Sequence, residues 1–273
     1  MKNFIKKYLG FIFIFIWKIK KVPFSLGYSI IKERKIINAI NDINEKLYFE
    51  EVEGIDERIV EYKWLFNELK NSSQKKILDA GSTLNFKYIL EKIYKNNKIY
   101  IKTLYPENKN FSELGISYIY GDLRESFFLE NYFDIIVCIS TLEHVGLNNN
   151  LYSNVEINNI TEETNINLDD HLKVIDQFKK ILKNNGTFFL TIPFGKKMFL
   201  EHLQQFDEEG IKRIINQFNP SKLDLKFAQY KNYIWSECKM NDCINNEIRT
   251  FSTKKSIDNA ASARSVCLLK MIK

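Results

Sequence analysis

Two adjacent side chains with acid–base chemistry, Glu143 and His144, follow a strongly apolar part of the chain. The preceding residues "DIIVCIS" are typical of a strand that is buried on both faces of a sheet, so the pair comes at the end of that strand. Histidine titrates closer to neutral pH than glutamate, which makes His144 the better general base. The alternative interpretation is a structural role, in which His144 forms a hydrogen bond at the strand end and Glu143 serves the fold or a cofactor.

A second group of chemically capable residues lies in "KKILDAGSTLNF", where an apolar strand leads into Asp79 and Gly81. An acid and a glycine at the end of a strand are typical of a nucleotide-binding turn, but the further glycines of such a turn are absent. Ser82 offers a hydroxyl, and asparagine, as at Asn85, tolerates positive φ better than most residues. We therefore expect a working loop in which side chains replace some backbone contacts.

The elements that position these residues alternate along the chain. Short apolar segments predict strands at "KILDA", "KIYIKTLY", "ISYIYGD", "YFDIIVCIS" and "TFFLTIPF", with helical periodicity between them. Two further β-rich segments, "LDLKFAQYKNYIW" and "ARSVCLLKMIK", predict an antiparallel closing pair, and Asn185-Gly186 predicts a turn. This alternation predicts an α/β protein with helices on both faces of a parallel sheet. Ligands of such sheets bind at the carboxyl ends of the strands, where the following residues also lie: Tyr105, Glu107, Asp122, Leu123 and Ser140.

The segments "YFDIIVCISTLEHVGL" and "LKNNGTFFLTIPFG" resemble the class I S-adenosylmethionine-dependent methyltransferases. The first matches that family's FD, apolar segment and LEHV, and the second matches its LKPGG turn except at Asn184 and Asn185. The resemblance implies a Rossmann-like, seven-stranded methyltransferase sheet over residues 73–273, after an N-terminal helical extension over residues 1–72. An Asn-rich insertion, residues 148–168, would lie at the edge of the active site. The LEHVGL and IPFG endings are similar to a branch often found among bacterial surface-polysaccharide genes.

The same resemblance implies S-adenosylmethionine as the cofactor and assigns roles to individual residues. Asp79 would order the loop, Gly81 would admit the methionine part, and Asp122 would lie beside the adenine amino group. The acid that binds the ribose hydroxyls is replaced near Tyr105, and Glu107 comes slightly late. The full expected cofactor set is Asp79, Gly81, Ser82, Asn85, Tyr105, Glu107, Asp122, Leu123 and Ser140. Among the other histidines, His202 is expected either to contact the substrate or to lie on a surface helix, and His171 is expected to be exposed to solvent.

The expected reaction is methyl transfer to a hydroxyl of a sugar or glycan precursor in surface polysaccharide synthesis, with His144 and Glu143 as the catalytic candidates. The alternative is a non-catalytic, methyltransferase-like partner protein at the membrane surface, which would explain the altered loop. A nicotinamide-dependent oxidoreductase would require GxGxxG, which "AGSTLN" lacks. No metal site is expected, since Cys238 and Cys243 have neither a second cysteine pair nor a nearby histidine.

The positive charge of the chain is concentrated at one end. Residues 1–40 carry a net charge of +8, while the whole chain carries only +6. The body is therefore not a basic nucleic-acid binder. The most apolar segment, Tyr8 to Trp17, spans ten residues, half of the roughly 20 that a membrane span needs. It is expected either to pack on the catalytic body or a second subunit, as in a homodimer, or to anchor residues 1–21 on an anionic membrane surface. The expected location is cytoplasmic, with or without peripheral contact at the inner face of the membrane.

Overall fold

The computed structural model of the chain describes residues 2–20, 25–42, 44–125, 128–148, 166–200, 202–249 and 263–273. Most of the predicted Asn-rich insertion, residues 148–168, lies outside them. The helices are α1 (Lys2–Lys20), α2 (Leu26–Asn41), α3 (Arg58–Leu69), α4 (Lys87–Ile93), α5 (Asp170–Ile181), α6 (Glu208–Phe218) and α7 (Met240–Cys243). The strands are β1 (Tyr48–Phe49), β2 (Lys76–Ala80), β3 (Lys98–Thr103), β4 (Ser117–Tyr120), β5 (Phe133–Ile139), β6 (Leu182–Pro193), β7 (Met198–Leu200), β8 (Leu203–Gln205), β9 (Lys222–Lys231), β10 (Ile234–Cys238) and β11 (Ser265–Ile272).

The chain divides into two compact units. The first comprises Met1–Lys70 and Phe227–Val266, and the second comprises Asn71–Lys226 and Cys267–Lys273. Strands β9 and β11 each contribute residues to both units. The second unit contains all the residues predicted to bind the cofactor or to act on the substrate.

The second unit is built on a sheet with the strand order β9-β11-β6-β5-β2-β3-β4. Strand β2 pairs in parallel with both β3 and β5, and β5 pairs in parallel with β6. The chain runs from β2 outward to β4 and then returns to the other side of β2 at β5, so the strand order reverses between β2 and β5. This arrangement confirms the predicted Rossmann-like fold. The strand count differs, because β10 and β1 continue the sheet beyond β9 in the first unit and bring the total to nine.

Strand β6 departs from the prediction of a turn at Asn185-Gly186. Helix α5 ends at Ile181 and β6 begins at the next residue, so these two residues lie within the strand. Asn185 adopts φ 61°, and the pairing of β5 with β6 shifts register between Phe133 and Ile135. The Asn185 N–H donates to the Lys273 carbonyl and the Lys273 N–H donates to the Gly186 carbonyl, both at 3.1 Å. The tolerance of Asn for positive φ thus produces a bulge here, held by the neighbouring β11, rather than a turn.

The first unit is largely helical. Helix α1 packs on α2 by a close backbone approach, since a Cβ at Gly27 would overlap the Phe13 carbonyl and lie 2.7 Å from the Trp17 Cβ. The apolar residues of α3 are buried. The second half of β9 and the whole of β10 and β1 also belong to this unit. Strand β10 pairs antiparallel with β9 over Phe227 to Lys231, and β1 pairs antiparallel with β10.

The core of the second unit predicts a large cost for truncating Phe188. This ring is fully buried in β6, with the Phe178 ring of α5 at 5.3 Å and the Phe218 ring of α6 at 5.5 Å. We expect Phe188→Ala to lower the free energy of unfolding by about 3–5 kcal/mol, from lost burial and a residual cavity. Urea unfolding measures this change. Phe199→Ala, at a ring that is 45% exposed, is the control, and equal losses in both variants would contradict the prediction.

Candidate active site

The two loops that follow β2 and β5 are in direct contact at the point where the strand order reverses. Gly81 comes immediately after β2 and adopts φ 120°, a conformation that favours glycine. A Cβ at this position would overlap the side chain of Thr141, two residues after β5. The Thr141 hydroxyl donates to the Ile139 carbonyl at 2.9 Å. Glycine is therefore required here by the approach of the second loop, and the predicted role of Gly81 in admitting the methionine part stays a prediction.

The buried carboxylate of Asp79 organises the first loop. It accepts hydrogen bonds from the Leu84 N–H at 2.8 Å and from the Thr83 N–H and hydroxyl, both at 3.2 Å. Burial raises the pKa of Asp79 to about 7, while these hydrogen bonds act in the opposite direction. The structure thus shows Asp79 in the loop-ordering position that the sequence predicts, without glycine at the later positions.

Ser82 combines backbone strain with an unsatisfied polar group. It adopts φ 62°, and its side chain is 7% exposed. Among the described residues its hydroxyl has no hydrogen-bond partner. An unpaired buried hydroxyl costs about 1–3 kcal/mol, and backbone strain of this kind is concentrated at functional sites. Both features mark Ser82 as a position that a ligand would satisfy.

Asn85 joins the first loop to the loop after β3. Its Nδ2 donates to the Glu107 carboxylate at 3.0 Å and to the Lys109 carbonyl at 3.1 Å. Its Oδ1 accepts from the Tyr118 hydroxyl at 2.9 Å. Glu107 is exposed and Tyr105 is half-buried in the intervening turn. Asn85 therefore holds Glu107, the acid that comes late in the sequence, beside the loop that follows β2.

The carboxylate of Asp122 is already occupied. Arg124 donates to it through Nε at 3.0 Å to both oxygens, through Nη2 at 2.6 Å and through the backbone N–H at 2.7 Å. Arg124 also pairs with Asp170 at the start of α5. Since a carboxylate has about four acceptor positions, an adenine amino group would have to displace Arg124 or use the backbone near the buried Leu123. Sequence reasoning missed Arg124, and its position two residues after the acid in "GDLRE" was the available signal.

The ring of His144 is oriented by a carbonyl from another segment. His144 is half-buried after β5, and its Nδ1 lies 2.7 Å from the His202 carbonyl oxygen. Because a carbonyl only accepts hydrogen bonds, Nδ1 carries the proton, and Nε2 carries the lone pair in the neutral ring. The structure therefore joins two of the predicted residues, His144 and His202, through the backbone of the latter.

Ser140 and Glu143 both precede His144 in the chain, and both are buried. The Ser140 N–H donates to the carbonyl and to the hydroxyl of Thr191, at 3.0 and 3.1 Å, which fixes the end of β5 against β6. Burial of Glu143 fits the structural alternative for this residue better than proton transfer at an open surface. His144 is the more accessible member of the predicted pair.

The expectation of an exposed His171 is wrong. Its side chain is only 3% exposed, its Nδ1 donates to the Leu168 carbonyl at 2.7 Å, and its ring packs edge-on against Phe206 at 5.1 Å. Burial lowers the pKa of His171. Position at a helix start does not imply exposure here, because the segment around Phe206 covers that end of α5.

Comparisons with known proteins give structural similarity only. No family model matches the chain, and no curated protein matches it. One similar solved structure is the YcgJ protein of Bacillus subtilis, with a TM-score of 0.45, 10% identity and coverage of 77% of this chain and 96% of that one. Another is the Burkholderia thailandensis 1,6-didemethyltoxoflavin-N1-methyltransferase with bound S-adenosylhomocysteine, with a TM-score of 0.44, 11% identity and coverage of 74% and 72%. A third is the Haemonchus contortus phosphoethanolamine N-methyltransferase 2 with S-adenosyl-L-methionine, with a TM-score of 0.43 and 12% identity over 73% of this chain and 49% of that one. Likeness at this level does not define an activity.

The buried carboxylate of Asp79 predicts a measurable pH dependence of stability. Its pKa in the folded protein is raised to about 7 from an ordinary value of 3.8. The protonated form is therefore favoured by folding, and its contribution is complete below about pH 4 and is lost as the pH rises through 7. The pKa difference corresponds to roughly 4 kcal/mol. We expect the free energy of unfolding of the wild type, relative to Asp79→Asn, to fall by a few kcal/mol between these pH values.

Chemical denaturation of both proteins across this pH range measures the effect. Asp134→Asn is a matched control, because the Lys183 ammonium at 2.8 Å and the Lys76 N–H at 2.9 Å keep the pKa of that carboxyl below its usual range despite partial burial. The free energy of unfolding of the wild type, relative to Asp134→Asn, should not fall as the pH rises. A flat difference for Asp79→Asn would show that the three hydrogen bonds keep this carboxyl ionised.

Proposed function

We propose that this chain binds S-adenosylmethionine at the carboxyl ends of β2 and β5 and transfers its methyl group to a hydroxyl of a sugar or glycan precursor. The observation that carries the proposal is the loop that Asp79 orders by hydrogen bonds. In this loop Ser82 adopts a positive φ, and its buried hydroxyl has no hydrogen-bond partner among the described residues. The sequence resemblance to class I methyltransferases supports the same cofactor. Solved structures with similar topology contain S-adenosylmethionine or S-adenosylhomocysteine, which agrees with it.

The residues present fit such a cofactor in most respects. Ser82 offers a hydroxyl, and Glu107 offers an exposed carboxylate beside Asn85, suited to the two ribose hydroxyls. Asp122 fits less well, because Arg124 takes up its acceptor positions. When bound, S-adenosylmethionine supplies an activated methyl group on a sulfonium. The remaining task of the protein is to align an acceptor with that group, for which proximity and orientation provide much of the acceleration.

His144 supports a hydroxyl acceptor. A sugar hydroxyl has a high pKa, so its attack on a methyl group is assisted by a base that removes its proton. The hydrogen bond from Nδ1 to the His202 carbonyl leaves Nε2 as the basic atom of the neutral ring. In the proposed reaction the acceptor proton would pass to His144 Nε2. The methyl group would pass from the sulfonium to the acceptor oxygen, which would leave S-adenosylhomocysteine as the product.

The cofactor proposal predicts opposite effects of Ser82→Gly on folding and on binding. Glycine relieves the positive φ, so the free energy of unfolding should rise or stay constant. Loss of the hydroxyl should lower the affinity for S-adenosylhomocysteine by roughly 10-fold, the equivalent of about one hydrogen bond. Calorimetry measures the affinity. Asn131→Gly, at another residue with positive φ, is the control and should leave the affinity unchanged.

Binding of S-adenosylhomocysteine to the wild-type protein is the measurement that decides the cofactor proposal. At 100 times its dissociation constant, S-adenosylhomocysteine should stabilise the fold by about 2.7 kcal/mol. Absence of both heat and a shift in Tm would overturn the enzymatic proposal. The non-catalytic alternative, a methyltransferase-like partner protein, would then be favoured.

The proposed base predicts a large loss of turnover in two variants of His144. His144→Asn places an amide nitrogen near the position of Nδ1 and can retain the bond to the His202 carbonyl, but it removes Nε2. His144→Gln places an amide near Nε2, where it has no basic atom. Each should lower kcat by roughly 100-fold or more while cofactor affinity stays nearly constant. The assay follows transfer of labelled methyl from S-adenosylmethionine to a panel of nucleotide sugars and lipid-linked glycans.

The outcome for His144 is interpretable only against a variant that disturbs the same region without removing a base. Phe199→Ala, at an exposed ring of the hairpin that carries His202, keeps the backbone carbonyl that orients the His144 ring and should retain the turnover of the wild type. Wild-type turnover in both His144 variants would remove His144 from the mechanism. Transfer to amines but to no hydroxyl in the panel would overturn the proposed acceptor class.

A further inference from the structure

Helix α1 exposes an unusually apolar face in the first unit. Five of its large apolar side chains are exposed within nine residues, and three of them strongly so: Phe11 at 70%, Phe15 at 64% and Ile19 at 66%, with Ile12 and Ile16 between them. Successive helical residues are rotated by about 100°, which puts these five on one arc of about 140°. We call these five residues the α1 exposed face. Contiguous apolar surface of this kind marks a site of interaction.

The opposite side of α1 is already used. Trp17 is buried, Gly10 lies beside Ile30 of α2, and the backbone at Phe13 approaches Gly27 closely. Helix α1 runs without interruption over 19 residues, Lys2–Lys20, so the exposed face belongs to a continuous helix. The α1 exposed face is therefore held outward by packing of the other side on α2.

Lysines border the α1 exposed face on both sides. By the same rotation, Lys18 falls about 20° outside one edge of the arc and Lys20 about 40° beyond the other. Both side chains are exposed. Helix α1 contains no acidic residue, and residues 1–40 carry a net charge of +8. An apolar arc with basic borders is the pattern of a helix that lies in the plane of a membrane interface.

We propose that the α1 exposed face binds the surface of an anionic lipid bilayer. Its phenylalanines and isoleucines would enter the boundary between headgroups and acyl chains, and Lys18 and Lys20 would meet anionic headgroups. A second copy of the chain fits this face less well, because two such helices would bring together lysines with no acid to pair with them. No helix in the described part of the chain has the length and apolarity needed to cross a membrane. In the proposed contact, α1 lies along the surface of the bilayer.

Cosedimentation of the full chain with vesicles tests the proposal. Binding to phosphatidylcholine vesicles that contain phosphatidylglycerol should exceed binding to phosphatidylcholine alone, and added salt should weaken it. Lys18→Gln with Lys20→Gln should reduce the partition coefficient by roughly 30-fold, at about 1 kcal/mol for each lysine. Lys222→Gln with Lys231→Gln removes two exposed lysines elsewhere and should have little effect.

The apolar contribution is tested separately. Phe11→Glu with Phe15→Glu should abolish vesicle binding, whereas Leu129→Glu with Leu223→Glu, at apolar side chains that are 74% and 43% exposed, should preserve most of it. Circular dichroism checks that each variant is folded. In a second measurement, a tryptophan in place of Phe15 should be quenched by brominated lipid, and one in place of Leu129 should not.

Equal loss of binding in the α1 variants and in their controls would overturn the proposal, since general charge would then explain adsorption. Failure of the wild type to bind vesicles would also overturn the proposal. If the wild type ignores vesicles and is dimeric by light scattering while Phe11→Glu with Phe15→Glu is monomeric, the α1 exposed face is a contact between copies. Absence of S-adenosylhomocysteine binding would leave these results unaffected, because the vesicle assay does not depend on the proposed reaction.

Discussion

The carboxylate of Asp79 is the constraint on which the candidate site depends. It is removed from water at the end of β2, and such a group must be hydrogen-bonded to be tolerated. Its partners, the Thr83 and Leu84 N–H groups and the Thr83 hydroxyl, come from the loop that immediately follows. Satisfying one buried acid therefore fixes the course of the chain, and that course makes the unusual conformations at Gly81 and Ser82 necessary. The loop does not need further glycines, because the acid supplies the ordering that a tighter backbone turn would otherwise give.

The strain in this loop is balanced by contacts on both sides. Thr141 fills the space above Gly81, and the Asn85 side chain connects the loop to the segment that carries Glu107. Strands β3 and β5 both pair with β2, so the loop begins at the end of a strand that is hydrogen-bonded on both sides. Ser82 is the exception, with a buried hydroxyl that no described residue satisfies. Leaving such a group unpaired costs stability, and the cofactor proposed above would provide it with a partner.

The sequence predicted features that depend on local periodicity and strand ends, but not those that depend on distant partners. The strands from β2 to β6 follow from alternating apolar segments, and Asp79 and Gly81 follow from their position at a strand end. Arg124 was missed although its contacts with Asp122 are local, and only its pairing with Asp170 comes from far along the chain. His171 was misjudged because Phe206 covers it, and Asn185-Gly186 was misjudged because the last residue of the chain pairs with it. For His171 and for Asn185-Gly186, a non-local contact overrode the local preference.

The acceptor side of the site rests on a small hairpin after β6. Strands β7 and β8 pair antiparallel, and the Gly195 N–H donates to the Phe206 carbonyl at 2.9 Å, which ties the hairpin back to the end of β6. His202 lies between these two strands and presents the carbonyl that orients His144. Gln204 of the same hairpin donates to the Leu168 carbonyl at 3.1 Å, the atom that also accepts from His171. The orientation of the proposed base is thus fixed from outside its own strand. A change in the hairpin would alter the direction of His144 Nε2 without touching β5, so the orientation of the proposed base and the course of the loop after β2 depend on different hydrogen bonds.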